Sequence, residues 1–67
     1  MITILVNGKK EDMKKNSTVT QLIQKLNYDN KWMAVIVNEE FLAKDLQDAT
    51  TINYGDKIEI LSPIAGG

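Results

Sequence analysis

The chain has 67 residues, 43% hydrophobic and 25% charged, with eight basic residues against nine acids and a formal net charge of −1. One domain of this size buries only about 60% of the surface its unfolded chain exposes, so a single small core must serve the whole fold and leaves little room for a deep catalytic cavity. Cysteine, histidine and arginine are all absent, which excludes disulfides, thiolate chemistry and imidazole catalysis, and removes the guanidinium fork that favours nucleic-acid recognition.

Residues 2 to 6, ITILV, are β-branched or leucine throughout and run into Asn7-Gly8, the dipeptide best suited to a two-residue hairpin turn. The second arm, Lys9 to Asn16, is polar except for Met13, and its lysines fit an edge strand that must resist further pairing. Thr18 precedes Gln21 at capping-box spacing, and Val19, Leu22, Ile23 and Leu26 recur at helical intervals. A two-turn amphipathic helix is predicted there, ending near Asn27. Trp32 to Val37, WMAVIV, reads as a buried central strand closed by Asn38. Trp32 suits a core plug or an interface anchor equally well. Residues 39–50 stay open, with Phe41 and Leu42 as a short strand and Ala43 to Leu46 as a helical turn. Tyr54-Gly55-Asp56 is turn chemistry, and Lys57 to Leu61, KIEIL, alternates as the last strand.

The order strand, strand, helix, strand, short strand, strand predicts an α+β fold. A right-handed crossover through the helix gives a mixed sheet of four to five strands with one main helix across it, the β-grasp roll. Residues 1–62 form that domain and 63–67 a flexible tail. Pro63 removes a backbone donor and biases Ser62 toward an extended conformation. Gly66 and Gly67 have no Cβ and can thread a narrow channel. Six extended residues reach at most about 20 Å, enough to carry a terminal carboxylate into another protein's active site.

Other constellations read as solvated surface. Glu39-Glu40, Asp45 and Asp48 have no histidine to support a metal or acid/base site, and Lys9-Lys10 with Lys14-Lys15 serve solubility at a strand edge. The longest apolar run, near Met33 to Val37, is too short for a bilayer, and the N-terminus lacks a signal-peptide pattern. The reading is a cytoplasmic protein beginning at its own Met1, monomeric alone, with no nucleic-acid or membrane partner. If Ile2, Ile4, Val6, Val35, Val37, Ile58 and Ile60 face the helix, alternation sends Thr3, Leu5, Ile36, Glu59 and Leu61 to the opposite face.

ILVNGK at the start, TVTQLIQKL in the helix, AVIVNEE in the middle, YGDKIEIL near the end and AGG at the terminus together resemble the ThiS family, ubiquitin-like sulfur carriers of thiamin biosynthesis. The resemblance spans nearly the whole chain. It implies that a ThiF-like adenylating enzyme uses ATP to activate the Gly67 carboxylate, and that Gly66, Ala65 and Ile64 are recognised with it. A sulfur donor, such as a cysteine desulfurase or a rhodanese-type protein, would then form a thiocarboxylate for thiazole synthase. The carrier would bind no cofactor and catalyse nothing itself. In the implied strand order the first, last and middle strands are neighbours, so Leu5, Leu61 and Ile36 are expected side by side as a docking patch. Two alternatives stay open: a related carrier for molybdopterin synthesis or tRNA thiolation, and a ubiquitin-like interaction module without tail chemistry. Many family members carry Val-Pro-Arg and then a tryptophan after the second asparagine, where this chain has Leu42-Ala43-Lys44. That difference bears on partner and pathway more than on fold.

Overall fold

The computed structural model of the chain describes residues 1–28 and 34–61. The elements are β1 (Ile2–Val6), β2 (Lys9–Met13), α1 (Val19–Lys25), β3 (Ala34–Val37), β4 (Glu40–Leu42), a 3-10 helix over Lys44–Ala49, and β5 (Lys57–Leu61). The strands form one sheet in the order β2-β1-β5-β3-β4. β1 and β5 run parallel, and the other neighbouring pairs are antiparallel. This is the mixed β-grasp sheet with one main helix. Trp32 and Met33, where the third strand was expected to begin, and the tail from 62 to 67 lie outside the described residues, as does the expected domain boundary.

Two tight turns set the hairpins. Asn7 and Gly8 have φ of 50° and 84°, and Asn38 and Glu39 have φ of 50° and 72°. Positive φ at both central residues gives a turn whose twist matches that of the flanking strands. Asparagine tolerates that region better than most residues, and Gly8 enters it without steric cost. The helix begins as its spacing predicts: the Thr18 hydroxyl accepts from the Gln21 N–H, and the Gln21 side-chain oxygen accepts from the Thr18 N–H. It stops at the C-cap Leu26, followed by Asn27 at φ 59°.

The core lies between the helix and one face of the sheet. Ile4, Val6, Val35, Ile58 and Ile60 alternate inward, and they meet Val19, Leu22 and Ile23 of α1 together with Met13 and Ile52; all are 5% exposed or less. Met13, the one apolar residue of the second arm, is thereby its anchor. β3 is an interior strand, but the middle place belongs to β5, which is paired with β1 on one side and β3 on the other. The open segment 39–50 takes both of its readings in succession, a three-residue strand and then a 3-10 helix. Thr20 of α1 donates from its hydroxyl to the Asp48 carboxylate, and the Val19 N–H donates to the Thr50 carbonyl. These bonds fasten the 3-10 segment beside α1.

Candidate functional site

Strand alternation leaves the opposite face of the sheet free of the helix. Thr3 and Leu5 of β1, Ile36 of β3, Glu59 and Leu61 of β5 all project there, opposite in phase to the core residues of the same strands. Leu5 is 37% exposed and Leu61 50% exposed, while Ile36 is half-buried.

The expected side-by-side row of Leu5, Leu61 and Ile36 does not occur. Leu5 stands opposite Lys57 on β5 and opposite Lys10 on β2. Ile36 stands opposite Glu59, and Leu61 opposite Ala34. The cause is register. β1 pairs with the beginning of β5, so Leu5 is four residues along the strand axis from Leu61, roughly 13 Å. The three share a face but not a row, and charged side chains separate Leu5 from the other two.

A residue that was not singled out completes a different grouping. Phe41 on β4 is 71% exposed and is the direct cross-strand partner of Ile36. Leu61 lies diagonally from Ile36 across β5, at a spacing of roughly 7–8 Å that large side chains can bridge. Phe41, Ile36 and Leu61 therefore form one apolar strip across β4, β3 and the end of β5. The other half of the face is polar, with Lys10, Asp12, Thr3 and Lys57 around Leu5, and the Thr3 hydroxyl donates to the Asp12 carboxylate at 2.8 Å. Leu42 packs on the core from the same strand as Phe41, which sends Phe41 to the outer face.

The strip ends at the root of the tail. Leu61 is the last residue of β5, and its neighbour Ile60 is held by the Asn7 side chain: the Ile60 N–H donates to Asn7 Oδ1 at 2.8 Å, and Asn7 Nδ2 donates to the Ile60 carbonyl at 3.2 Å. Tail residues Ile64, Ala65, Gly66 and Gly67 follow outside the described residues.

Among the described residues no three acidic side chains converge on a possible metal position, and no buried side-chain nitrogen or oxygen lacks a hydrogen-bond partner. An open groove of about 290 Å³ is lined by Met1, Asp12, Met13, Lys14, Ser17, Gln21 and Lys25. It sits at the end of the sheet where β1 begins, away from the end of β5. No helix among the described residues is long and apolar enough to cross a membrane.

Residues 3–67 match the ThiS family. The chain is 32% identical to a crystal structure of the thiamine biosynthesis protein ThiS from Geobacter metallireducens, with a TM-score of 0.83, covering 98% of this chain and all of that one. A solution structure of a thiamine biosynthesis protein from the same organism is 33% identical, with a TM-score of 0.80 over 98% of this chain and 88% of that one. Among curated proteins, a thiazole synthase of Paramagnetospirillum magneticum is 33% identical over 64 residues, which is 96% of this chain but 20% of that protein. Here the chain spans only about a fifth of the relative it matches. With a family match from the first strand through Gly67 and a sheet that superposes on a solved member, the chain belongs to the ThiS family.

Proposed function

We propose that this chain is the sulfur carrier of thiazole formation in thiamin biosynthesis, and that its reacting group is the Gly67 carboxylate. The observation that carries the proposal is the family match, which runs through Gly66 and Gly67 rather than stopping at the folded domain. A free carboxylate is a poor electrophile. A ThiF-like partner joins it to AMP from ATP with release of pyrophosphate; the persulfide sulfur of a cysteine desulfurase or rhodanese-type donor displaces AMP to give an acyl disulfide, and a second thiol, itself oxidised to a disulfide, cleaves that S–S bond to leave the thiocarboxylate. The thiocarboxylate sulfur is a good nucleophile, and thiazole synthase is the acceptor. Support for that acceptor comes from the Paramagnetospirillum thiazole synthase, which contains a stretch similar to this chain within its own polypeptide.

In this reading the carrier supplies position and the partners supply catalysis. Gly66 has no Cβ, and together with Ala65 and Ile64 it lets the tail enter a close-fitting channel. The body docks through Phe41, Ile36 and Leu61, because an enzyme that takes in the tail must lie against the end of β5. Leu5, set apart beside Lys57, contributes less.

Deleting Gly67, or adding one alanine after it, moves the reactive carboxylate by one residue, ~3.5 Å, without touching the core. Both changes should abolish ATP–pyrophosphate exchange by the adenylating enzyme while the melting temperature stays at the wild-type value. Intact mass after co-expression with the sulfur machinery should show one oxygen replaced by sulfur in the unaltered chain only. Undiminished exchange with the alanine-extended chain would defeat the carrier reading.

A further inference from the structure

We propose that Asn7 is a positioning residue for the tail chemistry: its side chain closes the end of β5 and so fixes the point from which the tail departs. The proposal rests on the carrier reading above. β1 pairs with β5 only as far as Val6 opposite Ile58, because the backbone turns away at Asn7 and Gly8. β5 continues to Leu61. Beyond the end of β1, the Ile60 N–H and carbonyl have lost the backbone that would pair them on that side. The Asn7 carboxamide takes both, at 2.8 and 3.2 Å, and its second N–H reaches the Tyr28 hydroxyl at 3.4 Å. An amide is the one neutral side chain that offers an acceptor and a donor side by side in the manner of a peptide group. It stands here for the missing strand residue.

A matched case lies at the other end of the same strand. Asn38 also opens a two-residue turn at φ 50°. Its Oδ1 accepts from the Lys57 N–H at 2.9 Å, and its Nδ2 donates to the Asp56 carboxylate at 2.9 Å. Two turn asparagines therefore bracket β5, one at its first residue and one at its residue before last. The turns do not require these bonds, since glycine is also accepted at the first position of such a turn. Only the Asn7 bracket adjoins the tail. Ile60 and Leu61 stay paired with Val35 and Ala34 on β3, so without the Asn7 bonds the end of β5 is held from one side only, and the direction in which the tail leaves the docked body is less tightly set.

The test compares Asn7→Gly with Asn38→Gly, which remove equivalent side chains from equivalent turns. Both should melt at similar, slightly lowered temperatures. With the adenylating enzyme, Asn7→Gly should lower kcat for ATP–pyrophosphate exchange about tenfold with KM within about twofold, and Asn38→Gly should leave kcat unchanged. Hydrogen exchange of the Ile60 amide should quicken in Asn7→Gly alone. Asn7→Asp keeps the acceptor for the Ile60 N–H but sets a carboxylate oxygen against the Ile60 carbonyl, so it should lose kcat as well. Wild-type kcat in both Asn7 variants, or an equal loss in Asn38→Gly, would overturn the proposal while leaving the carrier reading intact. If the wild-type chain supports no exchange at all, the carrier reading falls and this proposal with it.

Discussion

The two faces of the sheet come from the same strands, yet they are built to different standards. On the inner face Ile4, Val6, Val35, Ile58 and Ile60 are 5% exposed or less, while on the outer face Leu5, Leu61 and Phe41 are 37%, 50% and 71% exposed. Burial is worth about 0.8 kcal/mol per methylene, so the inner set carries most of the stability that a domain of this size can gather. The outer set has little to lose on unfolding. Apolar residues on that side cost solubility without returning packing, and three of them in one strip at the end of β5 fit the docking surface proposed above. Under the function proposed above, one alternating pattern would serve two jobs, stability on one side and recognition on the other.

The sharpest way to break this division is from the inner side. Leu22 is fully buried at the centre of the helix contact. Leu22→Ala should cost about 2–5 kcal/mol through lost transfer energy and the cavity left behind. Total stabilities of small domains are of the same order, so the variant should be largely unfolded near physiological temperature. Urea denaturation measures this directly. A midpoint equal to wild type would mean that the helix is not held by this core.

From the outer side, Phe41→Ser combined with Ile36→Ser should weaken binding to the adenylating enzyme tenfold or more, about 1.4 kcal/mol. Stability should fall by about 1 kcal/mol or less, the scale of one cross-strand pair. Isothermal titration and thermal melting together decide it. Retained affinity with collapsed melting would assign both residues to the core and remove the functional reading of the strip.

How much of this was legible in the sequence depends on how far apart the interacting residues are. The β1–β2 hairpin, the capping box and the inner face were legible, because Asn7-Gly8, Thr18 with Gln21, and the alternation of Ile58 and Ile60 act over a few residues. A tight turn also fixes its own hairpin register. The register of β1 on β5 has no turn to fix it. Its two strands are joined through almost the whole chain, and the side-by-side expectation for Leu5 and Leu61 failed at that junction. The second role of Asn7 was hidden for the same reason. Its turn is local, but Ile60 is 53 positions away. Phe41 was obscured differently, since β4 has three residues and three are too few to establish a period.

Register also gives the smallest and most discriminating prediction. Leu5 shares the outer face with Phe41 and Ile36, but Lys10 and Lys57 are its cross-strand partners and Leu61 lies at the far end of β5. A lone apolar side chain among charges presents no continuous surface, and single exposed apolar residues are ordinary. Leu5→Ser should therefore change affinity for the adenylating enzyme by about twofold or less, a few tenths of a kcal/mol, and should barely move the melting temperature. Measured beside Phe41→Ser on the same partner, it separates a strip that follows the root of the tail from a surface that uses the whole sheet. Equal losses in the two variants would mean that the partner covers the polar half as well, with an acidic counterpart to Lys10 and Lys57. In that case the lysines should show it independently, as a binding constant that falls steeply with added salt.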